Sequence, residues 1–222
     1  MADTGIILIR HGETHWNREG RIQGSEADSD LTPLGREQAR CLANRLVDDG
    51  IRVLYSSDLG RTRATAAPIG AATGLAIVHD KALRERAYGE FEGRTFAEIE
   101  SGFPAEYARL RSRDPRYAPP GGESAAQFRE RVLAALLAIA ARESGKRVAV
   151  VTHGGVLGIL YREAMGMTLE ARRSYSIANA SLNHFRFADG RWVLVAWGDV
   201  AHLPAGSADA GVESGNSQAG PA

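Results

Sequence analysis

The sequence of 222 residues has one cysteine, Cys41, and no excess of either charge, since Lys plus Arg and Asp plus Glu each number 27. A lone cysteine excludes an internal disulfide and suits a reducing compartment. Cys41 lies among Ala39, Leu42, Ala43 and Leu46 at helical spacing, which reads as core rather than nucleophile. The balanced charge removes the usual electrostatic case for nucleic acid or an anionic membrane as a partner. No apolar run approaches a transmembrane span and the N-terminus shows no basic-then-apolar leader, so the expected location is cytoplasmic. A Gly-x-Ser-x-Gly elbow, a Walker loop and a glycine-rich dinucleotide fingerprint are also missing.

What is present begins with Ile6-Ile7-Leu8-Ile9, which breaks into Arg10-His11-Gly12-Glu13-Thr14. Four aliphatic residues in a row, too few and too β-branched for a core helix, predict a strand buried on both faces. The carboxyl end of such a strand opens into the crevice where α/β sheets bind ligands. Gly12 is expected to let the backbone approach a ligand closely. Arg147-Val148-Ala149-Val150-Val151-Thr152 repeats the arrangement and ends in His153-Gly154-Gly155. If the two strands are neighbours, His11 and His153 face one another.

The remaining elements follow from periodicity and caps. Residues 13–31 carry no clear pattern and read as a functional loop. Thr32-Pro33 caps a helix over about 33–49, and Gly50 ends it. A strand at 53–55 leads into a helix over about 60–73 stopped by Gly74, and 76–78 forms an edge strand. Short helices are expected near 96–100 and 105–111, a long one over 124–142 and another over 156–164. Asp189-Gly190 between apolar runs predicts an antiparallel hairpin. One domain is expected over 1–203, followed by a low-complexity tail over 204–222 that reads as mobile.

His11 and His15 stand four apart, as zinc ligands on a helix would, but Gly12 and the preceding strand argue against a helix there, so no metal is expected. Arg109, Arg111 and Arg113 read first as a solvated face, with a selectivity patch for an acidic substrate as the alternative. Ser56-Ser57-Asp58-Leu59-Gly60-Arg61-Thr62-Arg63 opens a helix just after a strand, a place that favours anions.

Taken in order, the Arg10-His11-Gly12-Glu13-Thr14 segment with Asn17, the Ser56–Arg61 stretch with its later threonine and alanine, Leu83-Arg84-Glu85 with Gly89, Glu92 and Gly93, and Thr152-His153-Gly154-Gly155 resemble the histidine phosphatase superfamily. The resemblance runs from about residue 6 to 203 and implies a three-layer α/β/α sandwich, mainly parallel with an antiparallel edge, of the phosphoglycerate mutase-like type. It implies that His11 is the nucleophile, that Glu85 protonates the leaving group, and that Arg10, Arg61 and His153 hold the phosphoryl group, His153 as a cation. Arg61 rather than Arg63 matches the phosphate position. Thr14, Asn17, Gln23, Gly24 and the Gly154 amide fall where the family places phosphate or substrate contacts.

The implied activity is hydrolysis of a small phosphorylated metabolite through a phosphohistidine. Phosphoglycerate mutase is the alternative, and only then would 2,3-bisphosphoglycerate be required; otherwise no cofactor is expected. The mutase branch carries a longer insertion, to which Leu110-Arg111-Ser112-Arg113-Asp114-Pro115-Arg116-Tyr117 is a loose match. Pro120-Gly121-Gly122-Glu123-Ser124 looks more like the phosphatase branch. A phospholigand-binding module without turnover is the remote third reading. The oligomeric state is left open between monomer and homodimer.

Overall fold

The computed structural model describes residues 2–207. Along the chain the elements are β1 (Thr4–Arg10), α1 (His15–Glu19), α2 (Pro33–Leu46), β2 (Val53–Ser56), α3 (Gly60–Thr73) and β3 (Ile77–His79). There follow α4 (Phe96–Gly102), α5 (Pro104–Ser112), α6 (Ala125–Arg142), β4 (Arg147–Thr152), α7 (Gly154–Ala164), β5 (Leu182–Ala188) and β6 (Arg191–Asp199). The six strands form one sheet in the order β3-β2-β4-β1-β5-β6. β1 pairs parallel with β4 and antiparallel with β5, and β6 closes the antiparallel edge.

Alternation along β1 divides the core. Ile6 and Leu8 pack with Phe128, Val132, Leu136, Val156 and Leu160 of α6 and α7. Ile7 and Ile9 pack with Leu42, Leu46, Ala66 and Ile69 of α2 and α3 on the opposite face. Both faces of the central strands are therefore buried, which is why the sequence shows continuous aliphatic runs instead of alternation. The three-layer α/β/α arrangement with an antiparallel edge is thus the observed architecture.

Local chemistry sets the ends. Thr32 caps α2 by accepting from the Gly35 amide, Pro33 occupies its first turn, and the helix stops at Leu46, three residues before the expected end. Gly74, at φ 69°, ends α3 in the left-handed conformation that glycine adopts at low cost. α7 begins at Gly154, two residues earlier than the apolar pattern indicates, with His153 at its N-cap.

Residues 13–31 are not an unbroken loop. Thr14 accepts from the Asn17 amide while the Asn17 side chain accepts from the Thr14 amide, and this reciprocal cap starts the short helix α1. At five residues the helix is too brief to show a period in the sequence. A third apolar cluster of Ile22, Phe91 and Ile99, joined by Phe96, Phe103, Tyr107 and Leu110, holds α4 and α5 beside the sheet's carboxyl edge. Most of the tail expected over 204–222 lies outside the described residues.

Candidate active site

β1 and β4 are neighbours, with Arg10 opposite Thr152, so the next residues emerge side by side at the carboxyl edge. The rings of His11 and His153 lie 5.4 Å apart between centroids at 62°. Both are buried, His11 at 3% exposure and His153 at 0%.

Hydrogen bonds assign the ring protons. His11 Nδ1 lies 2.8 Å from the Gly12 carbonyl, which can only accept, so Nδ1 carries the hydrogen and Nε2 keeps its lone pair. His153 Nδ1 lies 3.2 Å from Arg61 Nε, a donor, so this nitrogen is bare; Nε2 then donates to Ser57 Oγ at 2.9 Å. Burial first, then the charges of Arg61 and Arg10, hold the His11 pKa well below 6.5. Burial and then Arg61, His11 and Arg10 do the same for His153. His153 is therefore neutral here rather than the cation implied by the resemblance, because burial disfavours a charged ring and Arg61 already places a positive charge on its flank.

Arg61 opens α3 and points inward. Its Nε donates to His153, its Nη1 pairs with Asp28 at 2.7 Å, and its Nη2 donates to the Gly24 carbonyl at 2.9 Å. Three acceptors in three directions fix the plane of a guanidinium. Arg63 turns away, with its Nε donating to the Asp58 carbonyl. Arg10 is buried and donates from Nη1 to the Ile177 carbonyl at 2.6 Å.

Glu85 sits across the N-terminus of α7. Its Oε2 accepts from the Gly155 amide and its Oε1 from the Arg86 amide, each at 2.8 Å. A Cβ on Gly155 would collide with Glu85 Oε1, so the second glycine after His153 makes room for the carboxylate.

Gly12 has a different use from the one expected. A Cβ there would lie 2.5 Å from the Gly35 carbonyl oxygen, so the bare backbone lets β1 meet α2 instead of a ligand. Thr14 spends its hydroxyl on capping α1 and on Gln23, to which it donates at 2.9 Å. The Gly24 carbonyl serves Arg61, and neither Thr14 nor Gly24 lines the open chamber beside the site. Asn17 and Gln23 do face it. They line a chamber of about 320 Å³ together with Glu85 and Gly155. Arg10, His11, Arg61 and His153 are buried and do not themselves line it, and Gly154 is likewise buried.

Four contributors were not singled out from the sequence. Asn179 donates from Nδ2 to the His11 carbonyl at 3.0 Å and to Asn17 Oδ1 at 3.2 Å, joining the His11 backbone to the chamber wall. The amide of Ala180, at φ 57°, donates to the Arg10 carbonyl at 3.0 Å. Asp28 anchors Arg61. Glu92, noticed only as part of a motif, accepts from the amides of Ser25, Glu26, Ala27 and Tyr88 and so pins the loop whose Gly24 carbonyl holds Arg61. Asn and Asp are common loop residues, so composition alone gave no signal for Asn179 or Asp28.

A recessed imidazole with a bare nitrogen, two buried arginines and a carboxylate at a helix N-terminus suit transfer of a phosphoryl group, which depends mainly on positioning and charge. Among the described residues, no group of three His, Cys, Asp or Glu side chains could hold a metal ion.

Comparison with known proteins identifies the family. Residues 6–200 match the sequence profile of the histidine phosphatase superfamily (branch 1). The chain is 42% identical over 202 residues to phosphoglycerate mutase-like protein 4 of Arabidopsis thaliana, covering 89% of this chain and 86% of that one. The solved structure of YhfR from Bacillus stearothermophilus aligns with a TM-score of 0.84 at 34% identity, over 90% of this chain and 100% of that one. Phosphoserine phosphatase from Entamoeba histolytica in complex with 3-phosphoglyceric acid aligns with a TM-score of 0.81 at 29% identity, over 90% and 100% of the two chains. The protein is an enzyme of the histidine phosphatase superfamily, branch 1.

Proposed function

We propose that the protein hydrolyses phosphomonoesters of small metabolites through a phosphohistidine on His11. The observation that carries this reading is the proton assignment on His11. Its Nδ1 is tied to the Gly12 carbonyl, so the unprotonated Nε2 is the atom available to attack, and a depressed pKa keeps it so. In the first half-reaction the Nε2 lone pair forms an N–P bond as the ester P–O bond breaks. The departing oxygen takes a proton from the Glu85 carboxyl group. In the second half-reaction Glu85 removes a proton from water, whose oxygen attacks phosphorus, and the N–P bond returns its electron pair to Nε2. Arg10 and Arg61 neutralise the charge on the equatorial oxygens, with Arg61 held for that purpose by Asp28, Gly24 and His153.

The second reading, phosphoglycerate mutase, shares the first half-reaction and differs in the acceptor. It is favoured by the Arabidopsis relative, whose name is of that type. Hydrolysis is preferred because Pro120 and Glu123 close the segment against residues 87–90: the Pro119 carbonyl accepts from Gly122 within the turn, the Pro120 carbonyl accepts from the Glu90 amide, and the Glu123 carboxylate accepts from the Ala87 amide. This gives a compact wall in place of a longer insertion. Phosphorus NMR of the protein with 3-phosphoglycerate, with and without 2,3-bisphosphoglycerate, separates the two. Inorganic phosphate that disappears with His11→Ala supports the hydrolase, whereas a growing 2-phosphoglycerate signal identifies a mutase.

A further inference from the structure

Glu85 stands on chain that has no regular structure of its own. A single 3-10 turn covers Lys81–Leu83, and residues 84–88 belong to neither helix nor strand. An acid works only within hydrogen-bond reach of the oxygen it protonates, so something other than a helix or a sheet ladder must hold this coil in place.

Four consecutive carbonyls, those of residues 82–85, are held from outside the coil. Thr152, the residue before His153, donates from Oγ1 to the Leu83 carbonyl at 2.8 Å. Arg131, in the second turn of α6, takes the other three. Its Nη1 donates to the Ala82 and Arg84 carbonyls at 2.9 and 3.0 Å, and its Nη2 donates to the Glu85 carbonyl at 3.2 Å. The remaining hydrogens go to Glu123, from Nε to Oε2 at 3.4 Å and from Nη2 to Oε1. The five N–H groups of the guanidinium thus meet five acceptors, which leaves none for a substrate, and Arg131 does not line the chamber. The Phe128 ring lies 5.1 Å from the guanidinium carbon and supports its plane.

Glu123 closes the arrangement on the far side of Glu85. Its carboxylate accepts from the Ala87 amide at 3.0 Å. Its own amide donates to the Ala87 carbonyl and its carbonyl accepts from Arg86 Nε, both at 2.9 Å. It also offsets the charge of Arg131, which would otherwise favour loss of a proton from a nearby carboxyl group. The coil is gripped on both sides of the residue that carries the acid.

We infer that Arg131, with Glu123 as its counterion, is the positioning residue for Glu85, setting where the carboxyl group stands relative to the departing ester oxygen. The inference rests on the reading of Glu85 as the acid. Arg131 spends its donors on this coil and on Glu123 alone, so its loss should impair proton delivery and spare the groups that hold the phosphoryl group.

The test is single-turnover phosphoryl transfer from two esters. The alkoxide of glycerol 3-phosphate must be protonated as it leaves, whereas the phenolate of p-nitrophenyl phosphate is stable as an anion. Arg131→Gln should slow transfer from glycerol 3-phosphate by at least ~10-fold, the scale of a small displacement of a reacting group, and from the nitrophenyl ester by less than ~3-fold. Arg131→Lys keeps a positive charge opposite Glu123 and so guards against loss of the fold. A compact ammonium cannot copy the fork, so this variant should show the same selective loss. Adding either substitution to Glu85→Gln should slow glycerol 3-phosphate little further, as for two residues that act through one step. Equal losses on both esters, or losses that multiply with that of Glu85→Gln, would overturn the positioning role while Glu85→Gln alone still discriminates between the esters. If Glu85→Gln itself slows both equally, the acid reading falls and the role of Arg131 falls with it.

Discussion

Asn179 donates one side-chain amide group to both the His11 carbonyl and the Asn17 side chain, at 3.0 and 3.2 Å. His11 and a residue of the chamber wall are thereby held at a fixed separation by a third side chain, which is itself buried. Asn179→Ala removes both bonds. A drop in kcat/KM of ~10-fold or more is expected, since small displacements of a reacting group are costly. Asn179→Asp also removes the donor and should behave similarly in a steady-state assay, whereas near wild-type kinetics for both variants would show that Asn179 does not position His11.

Glu85 is expected to matter in proportion to how badly the leaving group needs a proton. Glu85→Gln should lower kcat for glycerol 3-phosphate by ~10²–10³-fold, within the usual range for general acid catalysis. With p-nitrophenyl phosphate, whose leaving group is stable as an anion, the loss in the first step should be much smaller. Equal losses on both esters in single-turnover measurements would place Glu85 outside the proton transfer.

The two facing histidines make stability depend on acid. Their folded-state pKa values lie below the ordinary 6.5, so below that pH the unfolded chain binds more protons than the folded one. Stability is therefore full above about pH 6.5 and falls as pH drops below it. His184 and His202 are shifted in the same direction, mainly by burial. Thermal unfolding from pH 7.5 to 5 should show a falling midpoint, and His153→Gln should flatten the slope. The acid limb of kcat/KM should lie below 6.5, because His11 stays neutral there. An acid limb centred at 6.5 or above would contradict the assignment.

Close approach of β1 to α2 is a steric demand at two glycines. A Cβ on Gly12 would meet the Gly35 carbonyl, and one on Gly35 would meet the Glu13 carbonyl, with rigid backbone on both sides. Gly12→Ala and Gly35→Ala should each cost ~1–3 kcal/mol in chemical denaturation, as overpacking does. A cost below 0.5 kcal/mol, typical of a neutral surface change, would show that the junction can relax.

Much of this was legible in the sequence because its largest signals are local. The β1 and β4 runs are apolar on both faces, Gly74 stops α3 where a left-handed residue is required, and Asp189-Gly190 turns the last hairpin. The order of motifs also distinguished Arg61 from Arg63, and the structure aims only Arg61 at His153. The missed contributions act through single hydrogen bonds or through the main chain. Asn179 and Ala180 clamp carbonyl oxygens, Glu92 collects backbone amides, and Asp28 orients a guanidinium; none of these leaves a period in the sequence. α1 is shorter than two turns, too short for its apolar residues to define a face. The neutral state of His153 depends on the Arg61 contact, which only the three-dimensional arrangement reveals.

The central claim is that His11 Nε2 becomes phosphorylated. The direct measurement mixes the protein with a phosphomonoester it turns over, quenches in alkali within milliseconds, and locates phosphate by peptide mass spectrometry. The expected result is an alkali-stable, acid-labile phosphoryl group on the peptide containing His11, absent from His11→Ala and accumulating in Glu85→Gln when a nitrophenyl ester supplies the phosphate. Turnover with no phosphorylated histidine at any time point, or with phosphate found on His153 instead, would contradict it.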